Sequence, residues 1–156
     1  MNRRRKIHNA SARYLIASAF LLTAVAQQVF AFDPQEFRGD KIELQEKQPA
    51  KVSGVNFILS LPLGYKLLPE AKPYLKLYTP EGKILTTLEV HNGINTATFQ
   101  KKIKGDKLFA ELALYYCKEG EEGMCIFKTV LLIVPLDRSL PKNNLHLSYD
   151  VPLVRD

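Results

Sequence analysis

LFAELALYYC at residues 108–117 and CIFKTVLLIVP at residues 125–135 decide the fold. In the first, Leu108, Ala110, Leu112, Leu114 and Tyr116 recur at every second position, so a strand would gather them on one face. The second is almost continuously apolar, the pattern of a central strand buried on both sides. Only the polar loop KEGEEGM at 118–124 lies between them. Two strong strands and a short polar connection predict a hairpin at the centre of a β-protein.

Outward from this hairpin the same period-two pattern repeats between turn signals. Val55, Phe57, Leu59 and Leu61 share one face of a first strand, and residues 74–79 form a second. TPEGK at 79–83 is a turn in which Pro80 supplies a fixed φ and Gly82 a permissive corner. Ile84, Thr86, Leu88 and Val90 alternate next, HNGIN turns the chain, and Ala97 and Phe99 carry another strand that KGDK at 104–107 ends. After LDRSLPKNN, Leu145, Leu147 and Tyr149 alternate with His146 and Ser148. Nothing beyond the first thirty or so residues has helical periodicity. The expected fold is all-β, an antiparallel immunoglobulin-like β-sandwich of seven or eight strands over residues 51–156. Residues 32–50 read as a polar N-terminal extension with an edge strand at 41–46.

The chain opens with Arg3, Arg4, Arg5 and Lys6, then an apolar run from Tyr14 to Ala26, then small residues at Val29 and Ala31. This is the layout of a secretory signal peptide over residues 1–31. The apolar run is shorter than the roughly 20 residues a spanning helix needs. Cleavage after Ala31 is expected, with Ala26 as the alternative, leaving no membrane segment and a periplasmic or secreted protein. The signal also explains the charge. The full chain has 22 bases against 16 acids, and five of those bases (Arg3, Arg4, Arg5, Lys6, Arg13) lie in residues 1–31, which leaves 17 against 16. A net +1 with scattered lysines offers no footprint for nucleic acid.

Cys117 ends one strong strand and Cys125 begins the next, and they are the only cysteines. Facing strand ends approach closely enough for a disulfide, and an exported protein meets an oxidising compartment. Closing so short a loop contributes about 2.6 kcal/mol in the chain-entropy account. Two readings follow. The bond is a structural staple of a non-catalytic binding or accessory domain, or it is a redox pair, exposed at a loop rim where a partner thiolate can attack it. Glu119, Glu121 and Glu122 outweigh Lys118 and disfavour a thiolate, while Gly120 and Gly123 let the loop move aside. Tyr115, Tyr116 and Phe127 flank the pair as candidate aromatic caps.

The other chemistry-bearing residues form no constellation. His8 falls in the signal, and His91 and His146 fall on expected strands without a ligand pattern. The acidic loop lacks the alternating ligands of a calcium site. No nucleophile elbow and no phosphate-binding glycine loop is present, so neither a metal nor a cofactor is expected.

LPLGYKLLPEAKPYLKLYTPEGK (61–83) with LYYCKEGEEGMCIFKTVLLIVPL (114–136) resembles the small β-domain at the C-terminus of proteins that join a thioredoxin-like domain to NHL repeats. More distantly it resembles the N-terminal immunoglobulin-like domain of the DsbD thiol-disulfide interchange family. The shared pieces are a Pro-x-Gly-Tyr strand exit, an aromatic strand ending in Cys117 and Cys125 opening the next. That resemblance implies a periplasmic module whose cysteine pair passes electrons by disulfide exchange. Its partner would be a thioredoxin-like protein or a membrane electron carrier. The interval between the cysteines is longer here than expected of DsbD, and the domains that feed such a pair are missing from this sequence.

Overall fold

The structure, a computed structural model, describes residues 32–120 and 124–153; residues 1–31, where the signal peptide is expected, and residues 121–123 and 154–156 lie outside them. Residues Ala31–Asp156 form one compact unit. Its strands are β1 (Asp40–Glu43), β2 (Gln48–Pro49), β3 (Lys51–Ser60), β4 (Tyr65–Leu67), β5 (Tyr74–Tyr78), β6 (Ile84–Glu89), β7 (Gly93–Lys102), β8 (Lys107–Lys118), β9 (Cys125–Asp137) and β10 (Asn143–Asp150). One turn of 3-10 helix, Pro69–Ala71, lies between β4 and β5.

They build two sheets. The larger runs β1-β9-β8-β5-β6, with β2 continuing the β1 edge of β9 and β4 continuing the β5 edge of β8; the smaller is β10-β3-β7. The hairpin expected at the centre is the longest ladder, β8 against β9 from Lys107↔Pro135 to Cys117↔Cys125. Its inward face carries Leu108, Ala110, Leu112, Leu114 and Tyr116, and Val130, Leu132 and Val134 beside them. Val55, Phe57 and Leu59 of β3 and Leu145, Leu147 and Tyr149 of β10 close the core from the small sheet. The architecture is therefore the all-β two-sheet sandwich that the alternation predicts.

Three details depart from the expectation. One edge of each sheet is parallel rather than antiparallel: β1 and β2 pair in parallel with β9, and β10 in parallel with β3, while the β6 and β7 edges are antiparallel. β2 and β4, at two and three residues, are too short for alternation to reveal. His91 lies in the turn between β6 and β7 rather than on a strand, its backbone held by the buried Asn95 side chain, which accepts from His91 N and donates to His91 O.

The segment expected to be a polar extension is built into the domain. Phe32 N donates to Gly82 O at the β5–β6 turn, and eight residues later β1 pairs with the opposite edge. Residues 32–39 thus cross the outer face of the large sheet as a strap. Phe32 stacks on Tyr78 with ring centroids 4.2 Å apart and lies 6.4 Å from Phe109. On β9 the outward-facing Leu131 is as fully buried as the inward-facing Leu132, so this strand is covered on both sides.

Candidate functional site

The Cys117–Cys125 disulfide bridges the loop end of the β8–β9 hairpin. The two residues are directly opposed, with Cα atoms 4.0 Å apart. One step beyond, Lys118 N donates to Met124 O, so the ladder continues past the bond. Glu119 N then donates to Gly64 O, tying the loop base to the turn before β4. Gly120 has a φ of 76°, a left-handed corner that suits glycine. Glu121, Glu122 and Gly123 lie outside the described residues.

Alternation along the two strands sorts the expected aromatic caps. Tyr115 and Phe127, opposed two residues inside the disulfide, share its outer face and stack with centroids 4.5 Å apart. Tyr116 points the other way. It is 1% exposed in the core and meets Tyr65 edge-on at 5.7 Å, so it is a core residue and not a cap.

The two sulfur-bearing residues differ in access: Cys125 is exposed, Cys117 partly covered. The cover on that side is β4, which places Lys66 directly opposite Cys117. Directly opposed antiparallel residues share a sheet face with Cβ atoms about 4.5–5.5 Å apart. Lys66 is exposed, a cationic side chain based on the same sheet face as Cys117. The loop glutamates alone suggested a site hostile to a thiolate. Lys66 adds a cation on the Cys117 side of the bond, and nothing in its sequence position marks it, because the pairing of β4 with β8 is long-range.

Exposed apolar side chains surround the bond: Leu63 at 100%, Phe127 at 56%, Met124 at 42%, and Leu68. All belong to segments tied to the disulfide strands, Leu63 next to Gly64, Leu68 through Leu68 N donating to Tyr115 O. Further along the outer face, the Glu111 carboxylate accepts from the Tyr74 hydroxyl at 2.8 Å and the Tyr78 hydroxyl at 2.5 Å. Burial, reinforced by the bond to Glu111, pushes the Tyr74 phenol up to about 12, and Tyr78 upward for the same reasons. The Lys76 ammonium lies 4.7 Å from the Tyr74 ring centroid.

Among the described residues no group of three His, Cys, Asp or Glu side chains could hold a metal. His146 stands alone on β10. Compared with models of known protein families and with curated proteins, the sequence matches none.

Proposed function

We propose that this protein is an exported thiol-disulfide exchange module whose site is the Cys117–Cys125 pair. The observation that supports it most is the asymmetry of the bond: an exposed Cys125, and a partly covered Cys117 with Lys66 opposite it. In disulfide exchange the attacked sulfur must be reachable, and the departing sulfur leaves more readily when its thiolate is stabilised. A partner thiolate attacks Sγ of Cys125, the Cys117–Cys125 bond breaks, and Cys117 leaves as a thiolate beside the Lys66 ammonium. A second partner thiol, as its thiolate, then attacks the partner's sulfur in the mixed disulfide and releases Cys125. The partner ends as a disulfide and this chain as a dithiol, having gained two electrons and two protons. The partner is a protein with a paired-thiol site, of the thioredoxin-like or membrane-carrier kind that the resemblance implies, and the exposed Leu63, Met124 and Phe127 offer it an apolar contact.

Cys117→Ser leaves Cys125 free and should accumulate mixed disulfides visible on non-reducing gels of cell extracts, more than Cys125→Ser does. The reduction potential of the wild-type pair should fall near −180 to −270 mV, the range of working exchange proteins. No trapped species, together with a potential below about −300 mV, would sink this reading.

The second reading is a binding or accessory domain stapled by the same bond. It is favoured by the anchoring on both sides of the disulfide, where Lys118 N and Glu119 N are already engaged by Met124 O and Gly64 O. On that reading the double Cys→Ala variant keeps its partners and loses about 2–3 kcal/mol of stability.

A further inference from the structure

At the end of the sandwich away from the disulfide, the chain crosses between the sheets at Ala50. Ala50 N donates to Asp137 O at the end of β9, and Ala50 O accepts from Ile103 N just after β7. This crossing floors a cleft of about 670 Å³ lined by Ala50, Lys51, Lys102, Ile103, Lys104 and Arg138. The floor is apolar and buried, and the rim is four cations.

Three observations point to an anionic ligand. Lys51 and Lys102 are directly opposed on β3 and β7, and both are exposed. Like charges in that position destabilise a sheet unless something neutralises them. Among the described residues, none of the four cations forms an ion pair or a side-chain hydrogen bond. Asp137, the acid adjoining Arg138, is engaged with the backbone and hydroxyl of Ser139, and Glu81 is an acid within electrostatic reach of Lys104. Finally, a smaller cleft of about 290 Å³ shares Lys51 and Lys102 and adds Lys101 and Lys142, so the cationic surface continues along β7.

We propose that this cleft binds an organic phosphate, with its phosphate between Lys51, Lys102, Lys104 and Arg138 and its apolar body on Ala50 and Ile103. A doubly charged phosphate matches several convergent cations better than a single carboxylate does, and the Arg138 guanidinium can donate to two of its oxygens at once. The volume lies in the range of small-molecule sites and far exceeds a bare phosphate ion. A soluble phosphorylated compound carries its phosphate as a doubly charged monoester, and a phospholipid headgroup such as phosphatidylglycerol carries a singly charged diester.

The test uses the purified protein with two probes: phenyl phosphate, read by calorimetry against phenol, and phosphatidylglycerol vesicles, read by co-sedimentation against phosphatidylcholine vesicles. Phenyl phosphate should bind and phenol should not. The double variant K51Q/K102Q should weaken binding about tenfold or more, whereas K41Q/K83Q, the same charge change elsewhere, should leave it intact. Binding of phenyl phosphate identifies a soluble ligand; binding to the anionic vesicles alone, with the same dependence on Lys51 and Lys102, identifies a headgroup. Thermal melts check the fold. K51Q/K102Q should melt no lower than wild type in phosphate-free buffer, and K104Q/R138Q serves as the second variant if it does. Binding of neither probe, or equal losses in K41Q/K83Q, overturns the proposal.

Discussion

Glu111 gathers two tyrosine hydroxyls onto one carboxylate, and its consequence appears in alkali. The folded state keeps the Tyr74 proton up to about 12, whereas an unfolded chain releases it near the ordinary value of about 10. Between those values the unfolded state holds fewer protons, so stability falls as pH rises through that window and is unaffected below it. Glu111→Gln should move the tyrosinate absorbance titration to lower pH, only part of the way, because burial is the larger cause. The opposite face of the hairpin has its own charge device: Lys128 donates to Asp40 at 2.7 Å, and that bond raises its pKa. Its contribution is complete below the unfolded lysine value and lost as pH rises through the folded one. At the disulfide, Lys66→Met should slow exchange with a small-thiol reductant about three- to tenfold at neutral pH and low salt, with Lys66→Arg restoring it. An unchanged rate would detach Lys66 from the chemistry. The cysteines were legible in the sequence because two of them, one ending a strong strand and one opening the next, advertise a pair. Lys66 was not, because β4 is three residues long and its partner strand lies far along the chain.

The strap, residues 32–39, carries the largest difference between sequence reading and fold at the level of elements. Its polar composition suggests an extension, yet Phe32 packs on Tyr78 of β5 and Phe109 of β8, and Phe37 packs edge-on against Phe32. Gly39 is where it comes closest: a Cβ there would drive into the Thr129 carbonyl and the Phe37 ring. Gly39→Ala should therefore destabilise the domain by about 1–3 kcal/mol in a urea titration and increase exchange of strap amides. A neutral substitution would mean that the strap can lift without loss. Alternation identified the long strands, β3, β7, β8, β9 and β10, since each buries one face against the other sheet. It could not show whether the edge strands run parallel, because strand direction depends on which distant segment lies alongside and leaves no mark on the period. The almost uninterrupted apolar run of β9 was legible as two-sided burial, although what covers its outer side was not.

On the scale of the whole molecule, the same sandwich holds the disulfide at one end and the lysine-lined cleft at the other, separated by the full length of β8 and β9. Chemistry at either end can thus be altered without touching the core, and K51Q/K102Q should leave the reduction potential of the cysteine pair unchanged. The parallel edges have a different outcome. β1 waits for β9, and β3, paired with β7 on one side, waits for β10 on the other, so one edge of each early strand is completed only by a late one. Contacts between such remote segments make folding slow. A chain emerging N-terminus first, through a ribosome or a secretion channel, would hold β1 and one edge of β3 open until nearly its last residues had appeared. Truncation before Asn143 should therefore cost more than its few residues suggest: a protein that collapses, leaves Val55, Phe57 and Leu59 without their cover, and aggregates during synthesis. The final strand is the timekeeper of this fold.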